Sequence, residues 1–218
     1  LAHLALIARF GPEWFRQVGS HASPGSALIT VGGRVDRPGV FEVAMGTPLS
    51  SVLQLAQAAP PRAVLLGGYF GRWIPARAAR HLTLDAASLS AHGAAVGCGV
   101  VAVIDDGSCA VAELARVAAW YAHSSAGQCG ACTWGLRDLA AATSALEAGS
   151  PDPRVTSDIQ RWTSMVKGRG GCRLPDGAVA FLESGMEAFA DEIAEHQAGR
   201  CHRRDRRLLP TPTPEAWR

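Results

Sequence analysis

No run of about twenty apolar residues occurs in this 218-residue chain, which excludes a membrane-spanning helix of the usual kind. No secretory signal pattern stands at its start. A charge excess of one sign is missing too: the formal net charge is +2, which offers no electrostatic case for a nucleic-acid partner. The basic excess is local. Arg200, Arg203, Arg204, Arg206 and Arg207 crowd the C-terminal tail and leave the remainder slightly acidic. No GxGxxG joins a strand to a helix, and the glycines at 67, 68 and 71 and at 93, 97 and 99 read as turns, so no dinucleotide fingerprint is present. The seven histidines show neither HxxxH nor HExxH spacing, and no hydrolytic site follows from them. Six scattered cysteines do not make a small secreted disulfide scaffold.

What is present is a largely apolar chain, 48% by residue type, able to bury real cores. It opens on Leu1 rather than Met, inside an apolar pattern of Leu1, Leu4, Ile7 and Ala8, which is expected of a piece of a longer polypeptide. Residues 1–18 read as a helix interrupted at Gly11 and Pro12. The period then changes. Leu28, Ile29, Thr30 and Val31, a turn at Pro38 and Gly39, and Val40, Phe41, Glu42 and Val43 predict a hairpin. Thr47 and Pro48 open a short helix carrying Leu49, Val52, Leu53 and Ala56. Residues 63–66 and 100–104 predict buried strands. Hairpin, helix, strand and strand is the order of a β-grasp-like α+β unit.

Beyond Ser108, read as a helix cap, four amphipathic helices are expected. They carry Val111, Leu114 and Tyr121, then the stretch from Cys132 to Gly149, then Val155, Ile159, Trp162 and Val166, then Val179, Leu182, Met186, Phe189 and Ile193. The expected fold class is α+β, with these divisions: 1–27 a helical connector, 28–106 a β-grasp domain, 107–200 a four-helix bundle, and 201–218 a basic disordered tail.

The chemistry-bearing feature is SAGQCGAC at 125–132, a CxxC in a glycine-rich loop between helices. Glycines there let backbone N–H groups turn toward a negative centre. Forty residues later GRGGCR at 168–173 repeats the design. Cys129, Cys132 and Cys172 can then converge, with Gly127, Gln128, Gly130 and Gly171 as supporting residues. From the residues alone an iron–sulfur cluster and a structural zinc site both remain open. Cys98 and Cys109, beside apolar segments, read as buried thiols, and Cys201 as a free thiol in the tail. Trp134 reads as core or as a shield over the loop.

Several ordered motifs carry a family resemblance. They are IARFGPEWF at 7–15, GRVDRPGVFEV at 33–43, GTPL at 46–49, GCGVVAVID at 97–105, YAHSSAGQCGAC at 121–132, and Cys172 with PDGA at 175–178. Together they resemble the C-terminal half of the NADH-binding flavoprotein (F) subunit of respiratory complex I, and the related diaphorase subunits of NAD-linked hydrogenases and formate dehydrogenases. The resemblance implies a soluble-ligand-binding β-grasp domain followed by an iron–sulfur-binding helical domain. It implies a [4Fe–4S] cluster that takes electrons from flavin reduced by NADH and relays them onward.

Three of the family's four ligand positions fall on Cys129, Cys132 and Cys172; the first falls on Ala126. Three alternatives follow: a [4Fe–4S] cluster with an open or non-cysteine site, a [3Fe–4S] centre, or weakened binding. A three-cysteine cluster is the favoured expectation, with His123, Asp176, Cys201 and His202 as substitute ligands. FMN and NADH are expected only in an upstream flavin domain, so this chain alone is not expected to oxidise NADH. Expected partners are that flavin domain and a ferredoxin-like or other iron–sulfur redox subunit. No nucleic acid and no direct membrane insertion are expected, and the location expected is cytoplasmic, with membrane association only through a complex. A structural zinc module and a cluster-free assembly module are the rival readings.

Overall fold

The computed structural model describes residues 1–203 and 207–211. Among these residues a five-stranded mixed sheet combines with ten helices. None of the helices is long and apolar enough to cross a membrane. The chain divides into two compact units. The first comprises residues 1–68 and 74–103, and the second comprises Tyr69–Trp73 with the residues from Ile104 onward.

The first unit opens with two short helices, α1 (Ala2–Phe10) and α2 (Pro12–Arg16), separated where Gly11 takes φ +85°. The predicted hairpin follows. Strand β1 (Ser26–Gly33) pairs antiparallel with β2 (Gly39–Ala44), with Ile29 opposite Phe41. Alternation sends Ile29 and Val31 inward and leaves Leu28 and Thr30 outside, as a period of two requires. Strands β3 (Ala63–Leu66), β4 (Arg72–Pro75) and β5 (Val100–Ile104) complete the order β2-β1-β5-β3-β4, and β1 runs parallel to β5. All four residues of β3 are buried, which is why it reads as an unbroken apolar run. The core gathers Ile29, Val31, Val52, Leu66, Leu84 and Val101.

Three short helices lie between the strands: α3 (Leu49–Leu55), α4 (Ala76–Ala79) and α5 (Ala86–Ser90). The start of α3 differs from expectation by one position. Pro48 is its cap residue, and the Thr47 hydroxyl donates back to the Ala44 carbonyl at 2.7 Å instead of capping the helix.

The second unit holds α6 (Ala110–Ser124), α7 (Arg137–Glu147), α8 (Val155–Val166), α9 (Leu174–Ala188) and α10 (Ala190–Gln197). The sequence reading expected four helices here. Its last one is two, broken at Phe189 (φ −120°, ψ 27°), whose buried ring packs edge-on against Trp73 at 5.1 Å. The cap of α6 is likewise corrected. Cys109 accepts the Ala112 amide, while the Ser108 hydroxyl donates to Asp105 at 2.6 Å.

An aromatic core joins Tyr69, Trp73, Tyr121, Phe181 and Phe189. The Trp73 amide donates to Ser184 Oγ at 3.1 Å, and the Tyr121 hydroxyl donates to the Tyr69 carbonyl. Burial raises the Tyr121 hydroxyl well above its ordinary pKa. Gly177 is required by close approach: a Cβ there would stand 1.9 Å from Cδ1 of Phe70.

The disordered-tail expectation fails for residues 207–211. Leu209 is 3% exposed, and the buried Glu113 carboxylate accepts the amides of Leu208 at 2.6 Å and Leu209 at 3.0 Å. Arg116 binds the same carboxylate at 2.8 Å and donates to the Leu209 carbonyl at 2.6 Å. Residues 204–206 and 212–218 of that expectation lie outside the described residues.

Candidate metal centre

The first glycine-rich bend begins where α6 stops. Ser125 leaves the helix with extended backbone, and Gly127 turns the chain at φ +63°. The bend is held by its own polar groups. The Gly127 amide donates to Ser125 Oγ at 3.2 Å, and the Thr133 hydroxyl donates to the Gly127 carbonyl at 2.7 Å. The amides of Cys132 and Thr133 both donate to the Cys129 carbonyl, at 3.0 and 2.9 Å. A widened π-helical turn, Ala131–Leu136, then leads into α7. Such turns hold an extra residue per turn and mark functional sites more often than plain helix does.

The second bend follows α8. Gly168 turns at φ +72°, and its amide donates to Asp176 Oδ1 at 2.7 Å. Arg173 donates to the other oxygen of Asp176 at 3.1 Å. Asp176 thus ties the bend carrying Cys172 to the first turn of α9. The Gly168 amide chiefly, with Arg173 and Lys167 aiding, holds its carboxyl below the ordinary value.

The two bends meet. The Gly171 backbone amide is near enough to the Cys129 sulfur to be the main cause lowering that thiol's pKa. The amides of Cys132 and Ala131 lower it further. Cys132 is buried, and burial pushes its thiol up; the Ser125 hydroxyl opposes this, while Cys129 and Cys172 both add to it. Cys132 thus feels both of the other predicted cysteines, and backbone amides favour the thiolate of Cys129. Thiolates to ligate it and amides to offset its negative charge are what an iron–sulfur cluster requires. Ala126, Gln128, Gly130 and Gly171 are exposed around it. Trp134 is 66% exposed, so it is not a core residue.

The proposed substitute ligands separate. His123, exposed on the last turn of α6, shares a cleft with Ser125, Gly127, Cys132 and Thr133. Asp176 has both oxygens engaged by Gly168 and Arg173 and works as a staple. The structure corrects the expectation for Cys201 and His202. The Cys201 sulfur lies 3.9 Å from that of Cys109, at the opposite end of α6. A helix of 15 residues is about 22 Å long, too far for either residue to serve the bends after Ser124. His202 is exposed beside Asp106, Glu195 and Arg203. Cys98 is exposed rather than buried, donating to the Gly67 carbonyl at 3.3 Å, whereas Cys109 is fully buried as expected.

Sequence reasoning missed a second group of ligand-type side chains, Cys109, Glu192, His196 and Cys201. No short motif joins them. The signal that was available is Glu192 and His196 four residues apart, one turn of helix, on the inner face of α10.

A family model described as the NADH-ubiquinone oxidoreductase-F iron-sulfur binding region matches residues 112–196. An F subunit of the NADH-quinone oxidoreductase of Rhizobium meliloti (strain 1021), the one numbered 2, is 32% identical over 210 residues, covering 92% of this chain and 49% of the relative. The F subunit of the Streptomyces coelicolor NADH-quinone oxidoreductase is 29% identical, covering 92% of this chain and 45% of the relative. The chain thus spans about half the length of the curated relatives it matches. The crystal structure of an NAD+-reducing [NiFe]-hydrogenase in the air-oxidized state superposes with a TM-score of 0.79 at 23% identity, covering 98% of this chain and 36% of that one, a likeness of fold. With the family's iron–sulfur region running through α6 to α10 and relatives matching over nine-tenths of its length, the chain belongs to the family of NADH-quinone oxidoreductase F subunits, as its C-terminal part.

Proposed function

We propose that the helical unit holds one iron–sulfur cluster on Cys129, Cys132 and Cys172 and serves as an electron relay. The observation that carries this reading is the close packing of Gly135, just after Cys132, on Val166 at the end of α8, where a Cβ would stand 2.2 Å from Val166 Cγ2; it brings together the bends that carry Cys129 and Cys172. A bound cluster supplies one-electron uptake and release. The chain supplies the rest. Cys129 and Cys132 grip from the first bend, Cys172 from the second, and the amides of Gly171 and Ala131 stabilise negative charge at sulfur. Asp176 holds the second bend in register.

With Ala126 at the family's first ligand position, the cluster is a [4Fe–4S] centre with one iron not bound by cysteine, or a [3Fe–4S] centre. His123 is the side chain best placed to reach an open iron, since it shares the cleft with Cys132. The order β2-β1-β5-β3-β4 with β1 and β5 parallel supports reading the first unit as a β-grasp, soluble-ligand-binding domain that precedes the helical one. In this reading NADH oxidation takes place at FMN in a flavin domain. Electrons then leave for a ferredoxin-like or other iron–sulfur subunit in a cytoplasmic, complex-bound assembly.

Anaerobic reconstitution tests it. The expected product is brown, with iron and labile sulfide at about three to four per chain and an EPR signal in one redox state. A colourless chain that takes up zinc and no iron under those conditions would defeat the reading.

A further inference from the structure

The other thiol group sits at the N-terminal end of α6. Cys109 caps that helix, its sulfur accepting the Ala112 amide at 3.4 Å. His196, in the last turn of α10, sets Nε2 3.3 Å from the Cys109 sulfur and Nδ1 3.1 Å from the Glu147 carbonyl oxygen. A carbonyl only accepts, so the proton belongs on Nδ1 and the Nε2 lone pair faces the sulfur. Glu192, one turn earlier, places Oε1 3.9 Å from the same Nε2. Cys201, just beyond α10, places its sulfur 3.9 Å from that of Cys109. All four ligand atoms lie within 4.8 Å of one another, and Cys109, Glu192 and His196 are at most 2% exposed.

The geometry points to a second metal site: Cys109, Cys201, His196 and Glu192 bind one zinc ion that fixes the chain beyond α10 onto the start of α6. Zinc–sulfur bonds near 2.3 Å and a zinc–nitrogen bond near 2.0 Å at tetrahedral angles place two thiolates about 3.8 Å apart and thiolate and imidazole about 3.5 Å apart. The observed 3.9 and 3.3 Å bracket those edges. Two thiols, an imidazole and a carboxylate form a mixed donor set suited to zinc. The Nδ1–carbonyl bond is the outer contact by which metal-bound histidines are commonly oriented.

On binding, two Zn–S bonds, one Zn–N bond and one Zn–O bond form, and the two thiol protons go to solvent. The site then carries one net negative charge, which Arg203 faces, its Nε 3.9 Å from Glu192 Oε2. Four protein ligands leave no open position, so the role is structural. The length of α6 separates this site from Cys129 and Cys132, so it does not depend on the cluster.

The test is metal analysis of the full chain, isolated anaerobically with iron, sulfide and zinc supplied, together with zinc-edge X-ray absorption. One zinc per chain in a shell of two sulfurs and two nitrogen or oxygen atoms is expected. Cys201→Ser and His196→Gln should each lower bound zinc at least tenfold while iron and sulfide stay at the parent level. Retained iron shows that the variant has folded. If a variant loses iron as well, the parent's zinc shell decides. A shell of three or four sulfurs overturns the inference. So does zinc unchanged in both variants, or a parent chain without zinc, whether Cys109 and Cys201 are free or joined as a disulfide.

Discussion

Gly135, in the turn after Cys132, packs so closely on Val166 at the end of α8 that a Cβ there would stand 2.2 Å from Val166 Cγ2. This contact sets the turn that follows Cys129 and Cys132 against the helix that leads into the Cys172 bend. Asp176 and Thr133, which tie down the two bends, belong to the same framework.

Replacing Cys129, Cys132 or Cys172 with serine is expected to lower iron and labile sulfide to about a tenth of the parent or less, because three thiolates leave no spare ligand. The apo fold should survive, since these residues cap no helix. Colorimetric iron and sulfide assays check the first statement, and far-ultraviolet circular dichroism checks the second.

Ala126→Cys returns a thiolate to the family's first ligand position. The reduction potential should shift and the cluster should resist chelators longer, because every iron then has a protein ligand. Redox titration and the rate of bleaching by a chelator measure both. If neither changes, Ala126 does not adjoin the iron.

Asp176→Asn should soften the Cys172 bend in a pH-dependent way. The Asp176 pKa is lowered in the folded chain, chiefly by the Gly168 amide, so its ionised form adds stability above the unfolded value near 3.8, and that stability is lost as pH falls through the lowered folded value. The apo parent should therefore exceed the variant in urea midpoint at neutral pH, and the two should converge in strong acid, where the carboxyl is protonated in both states. An equal gap at both pH values would remove Asp176 as the cause.

Gly177→Ala puts a methyl group 1.9 Å from the Phe70 ring carbon, too close for any small adjustment. Overpacking of this kind destabilises by about 1–3 kcal/mol. Chemical denaturation of the apo chain should show it, and Phe70→Ala in the same chain should relieve part of the loss.

Glu113→Ala removes the acceptor for the Leu208 and Leu209 amides and leaves Arg116 without its carboxylate. Burial raises the Glu113 pKa even in the presence of these partners, so the site holds a desolvated group whose partners matter. Trypsin should then cut after Arg207 faster in the variant than in the parent, visible as a small mass loss under limiting protease. Equal rates would show that Glu113 does not hold this segment.

The bends around Cys129 and Cys172 were legible in sequence because their information is local: glycines, a nearby thiol and helix periodicity on each side. The hairpin of β1 and β2 was legible for the same reason, its turn residues lying between two alternating runs. Strand β4 was not, since Arg72–Pro75 has four residues, a charged start and a proline end. Nor was the break at Phe189, because a ring that packs sideways on Trp73 keeps the three-and-four spacing of an unbroken helix. The Cys109–His196–Cys201 group escaped because its members come from three places and meet only after α6 and α10 have packed. The placement of Leu208 and Leu209 was hidden by the arginines and prolines around them, while the carboxylate that holds them lies 95 positions earlier.

The membership of Tyr69–Trp73 in the second unit bears on how this chain can be dissected. The polypeptide passes from one unit to the other three times, and an excised fragment starting at Ile104 would lack Tyr69, Phe70 and Trp73. Phe189 would lose Trp73, Phe181 would lose Tyr69 and Trp73, and Tyr121 would lose Phe70, while Ser184 would lose its amide donor and Gly177 the ring it was made small to admit. Cloning the helices alone would therefore yield an eroded aromatic centre, whereas a piece that keeps Tyr69–Trp73 retains its own plug.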